Sequence, residues 1–327
     1  MAPRTHKRKR SVRRALSRVP FLPSLITLGN AFCGFLAIVK ITDAALLVSR
    51  TGEFGPDALH LVEVAGLLLF LAMVFDGLDG KVARLTDQAT QFGAELDSLA
   101  DAITFGVAPA VIAKFMVDMH AGPGQILPQH PKLYYLCAAL YALCAVMRLA
   151  RFNVETPGLD ARSHSMFVGL PSPAAAAMLT SLVVFVCSRQ DQPGGGILLA
   201  AFGDGIYDWV IYSLPWVTFG CGILMVSQLP YFHVLESLLR GRKSFPFLAV
   251  AVFVSFLAVL AWQEVLISLC ALYILSGPVL GVYQFLTGRP KLTEFEDDIE
   301  DGDEELDDED PEHRNIYRGP GASSMDA

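Results

Sequence analysis

Apolar runs of membrane-spanning length divide most of this chain, at 25–47, 62–83, 94–117, 132–151, 171–188, 208–227, 245–262 and 264–285. A spanning helix needs about 20 such residues, and in lipid only helices or closed barrels satisfy their own backbone. The expectation is therefore an all-α polytopic transmembrane bundle of about eight spans. The last two runs predict a tight hairpin turning near Trp262–Glu264, and the fifth is short, with a partly apolar segment at 189–207 after it. With 53% apolar residues, 18% charged residues and a mean hydropathy of +0.45, a single soluble core of 327 residues is excluded.

Charge is concentrated at the two ends. Residues 1–20 carry eight Lys/Arg and no acid, whereas 294–310 carry thirteen Asp/Glu and no base, so the net charge of −8 is mostly a property of one tail. The acidic run repels itself and reads as disordered. The basic run is a positive-inside anchor or a surface helix drawn to anionic lipid. Three regions follow: a basic segment 1–20, a membrane domain 21–286 and an acidic tail 287–327. An N-terminus in the cytoplasm puts Lys81, Arg84, Arg148, Arg151, Arg240, Arg242, Lys243, Arg289 and Lys291 on that side, leaving Arg50, Lys132 and Arg189 outside. Both termini are then cytoplasmic, the partners include membrane lipids, and no nucleic-acid partner is expected.

The six cysteines stand singly in apolar runs and read as small core residues. His60, His120, His130, His164 and His233 show no ligand spacing, and Tyr134, Tyr135, Trp209, Tyr212 and Trp216 fit an interfacial belt.

Against this background four aspartates are costly. A carboxylate at bilayer depth costs roughly 2.5–3.5 kcal/mol, so Asp76, Asp79, Asp97 and Asp101 demand a compensating partner. Positions 76, 79, 80, 83 and 84 share one helical stripe, and 93, 97 and 101 share another; the short connection near 85–92 makes the two helices antiparallel neighbours. Gly80 and Gly93 remove side chains where backbone or a phosphate can approach. The forked donors of Arg84 suit a phosphate, with Asp87 the alternative partner. Oxygen ligands without histidine favour Mg²⁺, Mn²⁺ or Ca²⁺ over zinc or copper, and two such ions bridging a pyrophosphate would support displacement at phosphorus. Asp101, one turn deeper than Asp97, reads as the general base.

Together these residues spell Asp76-x2-Asp79-Gly80-x2-Ala83-Arg84-x8-Gly93-x3-Asp97-x3-Asp101, and the pattern resembles, without departure, the motif of the CDP-alcohol phosphotransferases. Chance would produce eight such residues on the order of once in ten billion starts. Segments 22–38, 147–155 and 169–177 are similar to the phosphatidylserine synthase branch, although Ser24 stands where many members have Asn. The resemblance implies a six-helix catalytic core, here with two further C-terminal helices, and a site for two divalent cations, Mg²⁺ or Mn²⁺ with Ca²⁺ as a non-physiological occupant. It implies a homodimer, and transfer of the phosphatidyl group of CDP-diacylglycerol to an alcohol with release of CMP. By position, Asp76, Asp79 and Asp97 would be metal ligands, Asp101 ligand and base, and Gly80, Ala83 and Arg84 donor contacts.

Thr27 and Asn30 are polar candidates for the donor, or else for helix–helix hydrogen bonds. L-Serine as acceptor requires a cation for its carboxylate, and Arg148 and Arg151, with Asn153 just beyond, are the candidates; the alternative is interfacial anchoring. Glycerol 3-phosphate, inositol or inositol phosphate are the other acceptors to weigh, and an ion-coupled transporter is the reading from a different class.

Overall fold

The computed structural model describes residues 21–86, 90–121, 127, 130–155, 166–191, 205–232 and 261–287. In chain order the elements are α1 (Phe21–Thr51), α2 (Pro56–Leu85), α3 (Gln91–Asp101), a π-helical turn (Ala102–Val107), α4 (Ala108–Met119), α5 (Pro131–Glu155), β1 (Met166–Val168), α6 (Ser172–Asp191), α7 (Gly205–Val226), β2 (Pro230–Phe232) and α8 (Trp262–Thr287). The described residues up to Pro278 belong to one compact unit, and those from Val279 onward, the final turns of α8, to a second.

Among the described residues six helices are long and apolar enough to cross a membrane, with α3, the π turn and α4 forming one of them. They correspond to the expected spans except two. The fifth, α6, has a shorter apolar stretch, Ser172–Ser188, and the expected span 245–262 lies outside the described residues. α6 runs for 20 residues and is interior. Leu179, Leu182, Val183, Val184, Phe185 and Val186 are all buried, so protein rather than lipid covers it. α2 packs closely against it, since a Cβ on Gly66 would stand 2.3 Å from Val184 Cγ2. Conversely, Leu25, Leu28, Phe32 and Phe35 of α1 are exposed, as a lipid-facing stripe must be. The cysteines are all free, and all but the half-buried Cys270 are buried, as expected of core residues.

Prolines shape two of the helices. Pro109 lacks the N–H that would bond the Phe105 carbonyl four residues earlier, and the chain passes through a π turn at that point. The buried Tyr141 hydroxyl of α5 donates to that carbonyl at 3.0 Å. Pro278 frees the Ile274 carbonyl in the same way, and the buried Tyr231 hydroxyl of β2 donates to it at 3.1 Å.

β1 and β2 pair antiparallel, with Phe167 opposite Tyr231, the described departure from an otherwise helical fold. This small sheet delivers the chain into Gly169-Leu-Pro-Ser-Pro173. Gly169 has φ +84°, and a Cβ there would lie 2.7 Å from the Met225 carbonyl oxygen, so glycine is required both by conformation and by approach. Its N–H donates to Leu229 O at 2.9 Å, and Leu170 N–H to Leu224 O at 3.0 Å, docking the start of α6 on the end of α7.

Candidate active site

The aspartates converge as the two stripes require. Ligand oxygens of Asp76, Asp97 and Asp101 all lie within 4.8 Å of one another. Asp79 stands beside this trio, turned partly away. Its Oδ1 accepts from Gly80 N–H at 2.6 Å and its Oδ2 from Thr27 Oγ1 at 2.8 Å, while its carboxyl also meets that of Asp97. The carboxyls of Asp76 and Asp101 meet likewise. Like charges so placed repel unless something positive stands between them.

α1 braces both carboxylate helices. Thr27, Asn30 and Gly34 recur at helical spacing along one face. Asn30 Nδ2 donates to Asp101 Oδ1 at 3.1 Å, so Thr27 holds α2 and Asn30 holds α3. Gly34 explains how α1 comes so near: a Cβ there would stand 2.5 Å from Thr104 Oγ1 and 2.9 Å from Thr104 Cα. The Thr104 hydroxyl donates to the Asn30 carbonyl at 3.3 Å, which fixes the π turn directly below Asp101.

α3 begins under a cap that the sequence reading did not use. Thr90 is extended at φ −137° and its side chain accepts from Gly93 N–H, so Gly93 is engaged in the helix start. Beside Gly80, by contrast, a Cβ would meet nothing within 4 Å, leaving open space next to the aspartates. Ala83 is half-buried on the same helix, and the side chain of Arg84 lies outside the described residues, as do Asp87 and the tails 1–20 and 288–327.

On the α5 side the three acceptor candidates separate. Arg148 is half-buried, its Nη1 donates to Ser172 Oγ at 3.4 Å, and it lies within electrostatic reach of Asp101 and Tyr273. Arg151 is exposed. Asn153 accepts from Ser98 Oγ at 2.9 Å and donates to Glu95 at 3.3 Å, tying α5 to the aspartate helix. Ser172, Ser98, Thr104 and Gly34 are thus neighbours of the site that spacing along the sequence did not reveal. Ser172 lies in the stretch 169–177 that the sequence marked by its resemblance to the phosphatidylserine synthase branch.

The donor set fits a divalent cation. It consists of carboxylate oxygens, and Asp97 Oδ1 is buried with no hydrogen-bond partner, the kind of orphaned acceptor that an ion would satisfy.

Comparison with known proteins agrees with this arrangement. The chain is 38% identical over 173 residues to the CDP-diacylglycerol–serine O-phosphatidyltransferase of Mycobacterium bovis, 52% of each chain. To the Bacillus subtilis protein of that name it is 32% identical over 226 residues, 68% of this chain and 98% of the relative. To the Saccharomyces cerevisiae one it is 34% identical over 207 residues, 62% and 67%. The chain spans about half the length of the mycobacterial relatives it matches. The family model for CDP-alcohol phosphatidyltransferase matches residues 20–223, the stretch that holds α1 and all four aspartates, and the chain belongs to that family.

Proposed function

We propose that this protein transfers the phosphatidyl group of CDP-diacylglycerol to the hydroxyl of L-serine, giving phosphatidylserine and CMP. The observation that carries the proposal is the convergence of Asp76, Asp97 and Asp101 within 4.8 Å, inside the stretch matched by the family model. The relatives' name supports serine as the acceptor.

In this reading Asp76, Asp97 and Asp101 hold two divalent cations, Mg²⁺ or Mn²⁺, with Asp79 completing the set through its contact with Asp97. When bound, such ions neutralise the donor's diphosphate and the departing CMP. The open space at Gly80 admits the diphosphate, and Ala83, Arg84 and Gly93 of the same sequence motif are assigned to the donor with it. Thr27 and Asn30, assigned from sequence to the donor, act by orienting Asp79 and Asp101. Asp101 accepts the proton of the serine hydroxyl as its oxygen bonds to the lipid-bearing phosphorus, and the bond from that phosphorus to CMP breaks with the electron pair leaving on CMP. Arg148 binds the serine carboxylate from its half-buried position, Arg151 adds positive field at the same helix end, and Asn153 holds α5 against α3.

We infer further that the site and both termini face the cytoplasm, from the Lys/Arg bias, and that the enzyme works as a homodimer. Purified protein in mixed micelles, given CDP-diacylglycerol, serine and Mn²⁺, should release CMP in step with phosphatidylserine. Ion transport without nucleotide turnover would falsify the reading.

A further inference from the structure

Gln91–Met119 crosses the membrane as one span, yet its two halves cannot share one face. In an uninterrupted α-helix Asp101 would stand on the stripe of Ala108, Ile112 and Phe115, which follow it at seven, eleven and fourteen positions. Those three are buried in the apolar core with Tyr141, Ala145 and Leu179. A carboxylate on that stripe would point into apolar side chains and away from Asp76 on α2. The π turn Ala102–Val107 takes up about one extra residue, which offsets the aspartate half from the apolar half by about 100°, one residue's share of a 3.6-residue turn. The break in the helix is what lets one span serve both a charged site and a dry core.

Contacts from α1 and α5 hold the turn in register. On α1 the Asn30 carbonyl accepts from Thr104 Oγ1 at 3.3 Å while the Asn30 side chain donates to Asp101 at 3.1 Å, so one residue ties the turn to the carboxylate. On α5 a Cβ added to Gly106 would stand 3.3 Å from Ala145 Cβ, which puts the turn flat against that helix. One turn earlier on α5, the fully buried Tyr141 donates to the Phe105 carbonyl at 3.0 Å. Phe105 lies between Thr104 and Gly106, and Pro109 offers its carbonyl no N–H from the span itself. The phenol thus supplies from a neighbouring helix the bond that the chain withholds.

We propose that Tyr141 is a positioning residue for the general base: by holding the Phe105 carbonyl it fixes the π turn that rotates Asp101 off the apolar stripe of α4 and toward the aspartate of α2. The inference rests on the phosphatidyl-transfer reading above and deepens it. Tyr141 touches neither substrate nor ion in this scheme. It acts through Phe105, Thr104 and Asn30, each link of which is a bond or a chain neighbour.

The test uses the full chain in CDP-diacylglycerol micelles with Mn²⁺ and serine. Tyr141→Phe keeps the ring in the core and removes the donor. Its kcat should fall by roughly ten- to a hundredfold, the scale of a misaligned reacting group, with serine KM held because Arg148 is untouched. The rise in Tm that Mn²⁺ gives the substrate-free protein should shrink as well, since Asp97 and Asp101 turn together. Adding Pro109→Ala separates placement from stability. The restored N–H can donate to the Phe105 carbonyl and favours an uninterrupted helix, so the double variant should regain the metal-free Tm lost in Tyr141→Phe without regaining kcat or the Mn²⁺ response. Wild-type kcat in Tyr141→Phe, or kcat returning together with Tm in the double variant, overturns the proposal. If Tyr141→Phe does not accumulate folded, the double variant carries the test alone: depressed kcat in a folded protein supports the proposal, and wild-type kcat overturns it. Absence of serine-dependent CMP release from the wild type would instead refute the underlying reading.

Discussion

Asn30 Nδ2 donates to Asp101 Oδ1 at 3.1 Å across 71 positions of sequence, so the orientation of the proposed base is set by a helix that carries no carboxylate of the site. Asn30→Ala should lower kcat by about ten- to a hundredfold, with little change in donor KM, since the carboxylate remains but is no longer aimed. Steady-state kinetics on both substrates checks this. An unaffected kcat would show that Asp101 is held by other means.

Asp101→Asn removes the proton acceptor. Turnover should fall by roughly 10²–10⁴-fold while nucleotide binding, followed by calorimetry with CDP, is largely kept. Asp76→Asn should lose both. Near-normal rates in Asp101→Asn would reassign the base.

Cation binding can be read without catalysis. Mn²⁺ at about a hundred times its dissociation constant should stabilise the substrate-free protein by about 2.7 kcal/mol, seen as a higher Tm. Asp97→Asn should abolish that shift because it removes the negative charge of the carboxylate whose Oδ1 is orphaned. Chelation should silence CMP release, and Mg²⁺ or Mn²⁺ should restore it.

The two arginines should behave differently. Arg148→Ala, at the half-buried position bonded to Ser172, should raise serine KM by roughly tenfold or more, the scale of a lost hydrogen bond to a charged group. Arg151→Ala, on the exposed side, should raise it less. The reverse order would move the carboxylate to the helix end.

Gly34→Ala should cost about 1–3 kcal/mol through overpacking and lower kcat with it. Thr104→Ser should not rescue it, because the added methyl meets Thr104 Cα at 2.9 Å as well as the hydroxyl. Thermal melts of the single and double variants decide this.

Much of the architecture was legible because lipid imposes lengths and forbids open backbone. The aspartate stripes were legible because 76 and 79, and 97 and 101, lie one turn apart. What spacing along two helices does not specify is rotation. Asp79 shares a face with Asp76, yet Thr27 and the Gly80 N–H draw its oxygens aside, and the first of these partners depends on α1, which comes close at Gly34. The π turn had a signal in Pro109, inside a run read as one uninterrupted span. The Gly169-Leu-Pro-Ser-Pro173 segment was visible as part of the resembling stretch 169–177, but its partner, the end of α7, is far along the chain and has no local mark.

The tyrosine–proline pairings bear on how the chain is assembled. An open carbonyl is a liability in hydrocarbon. Phe105 enters the bilayer 36 positions ahead of the hydroxyl that answers it, whereas Ile274 arrives 43 positions after its own. A nascent chain stopped before Tyr141 is therefore expected to hold Gln91–Met119 less firmly against alkaline extraction than one that includes it. For the last helix the receptor is already waiting when it is made.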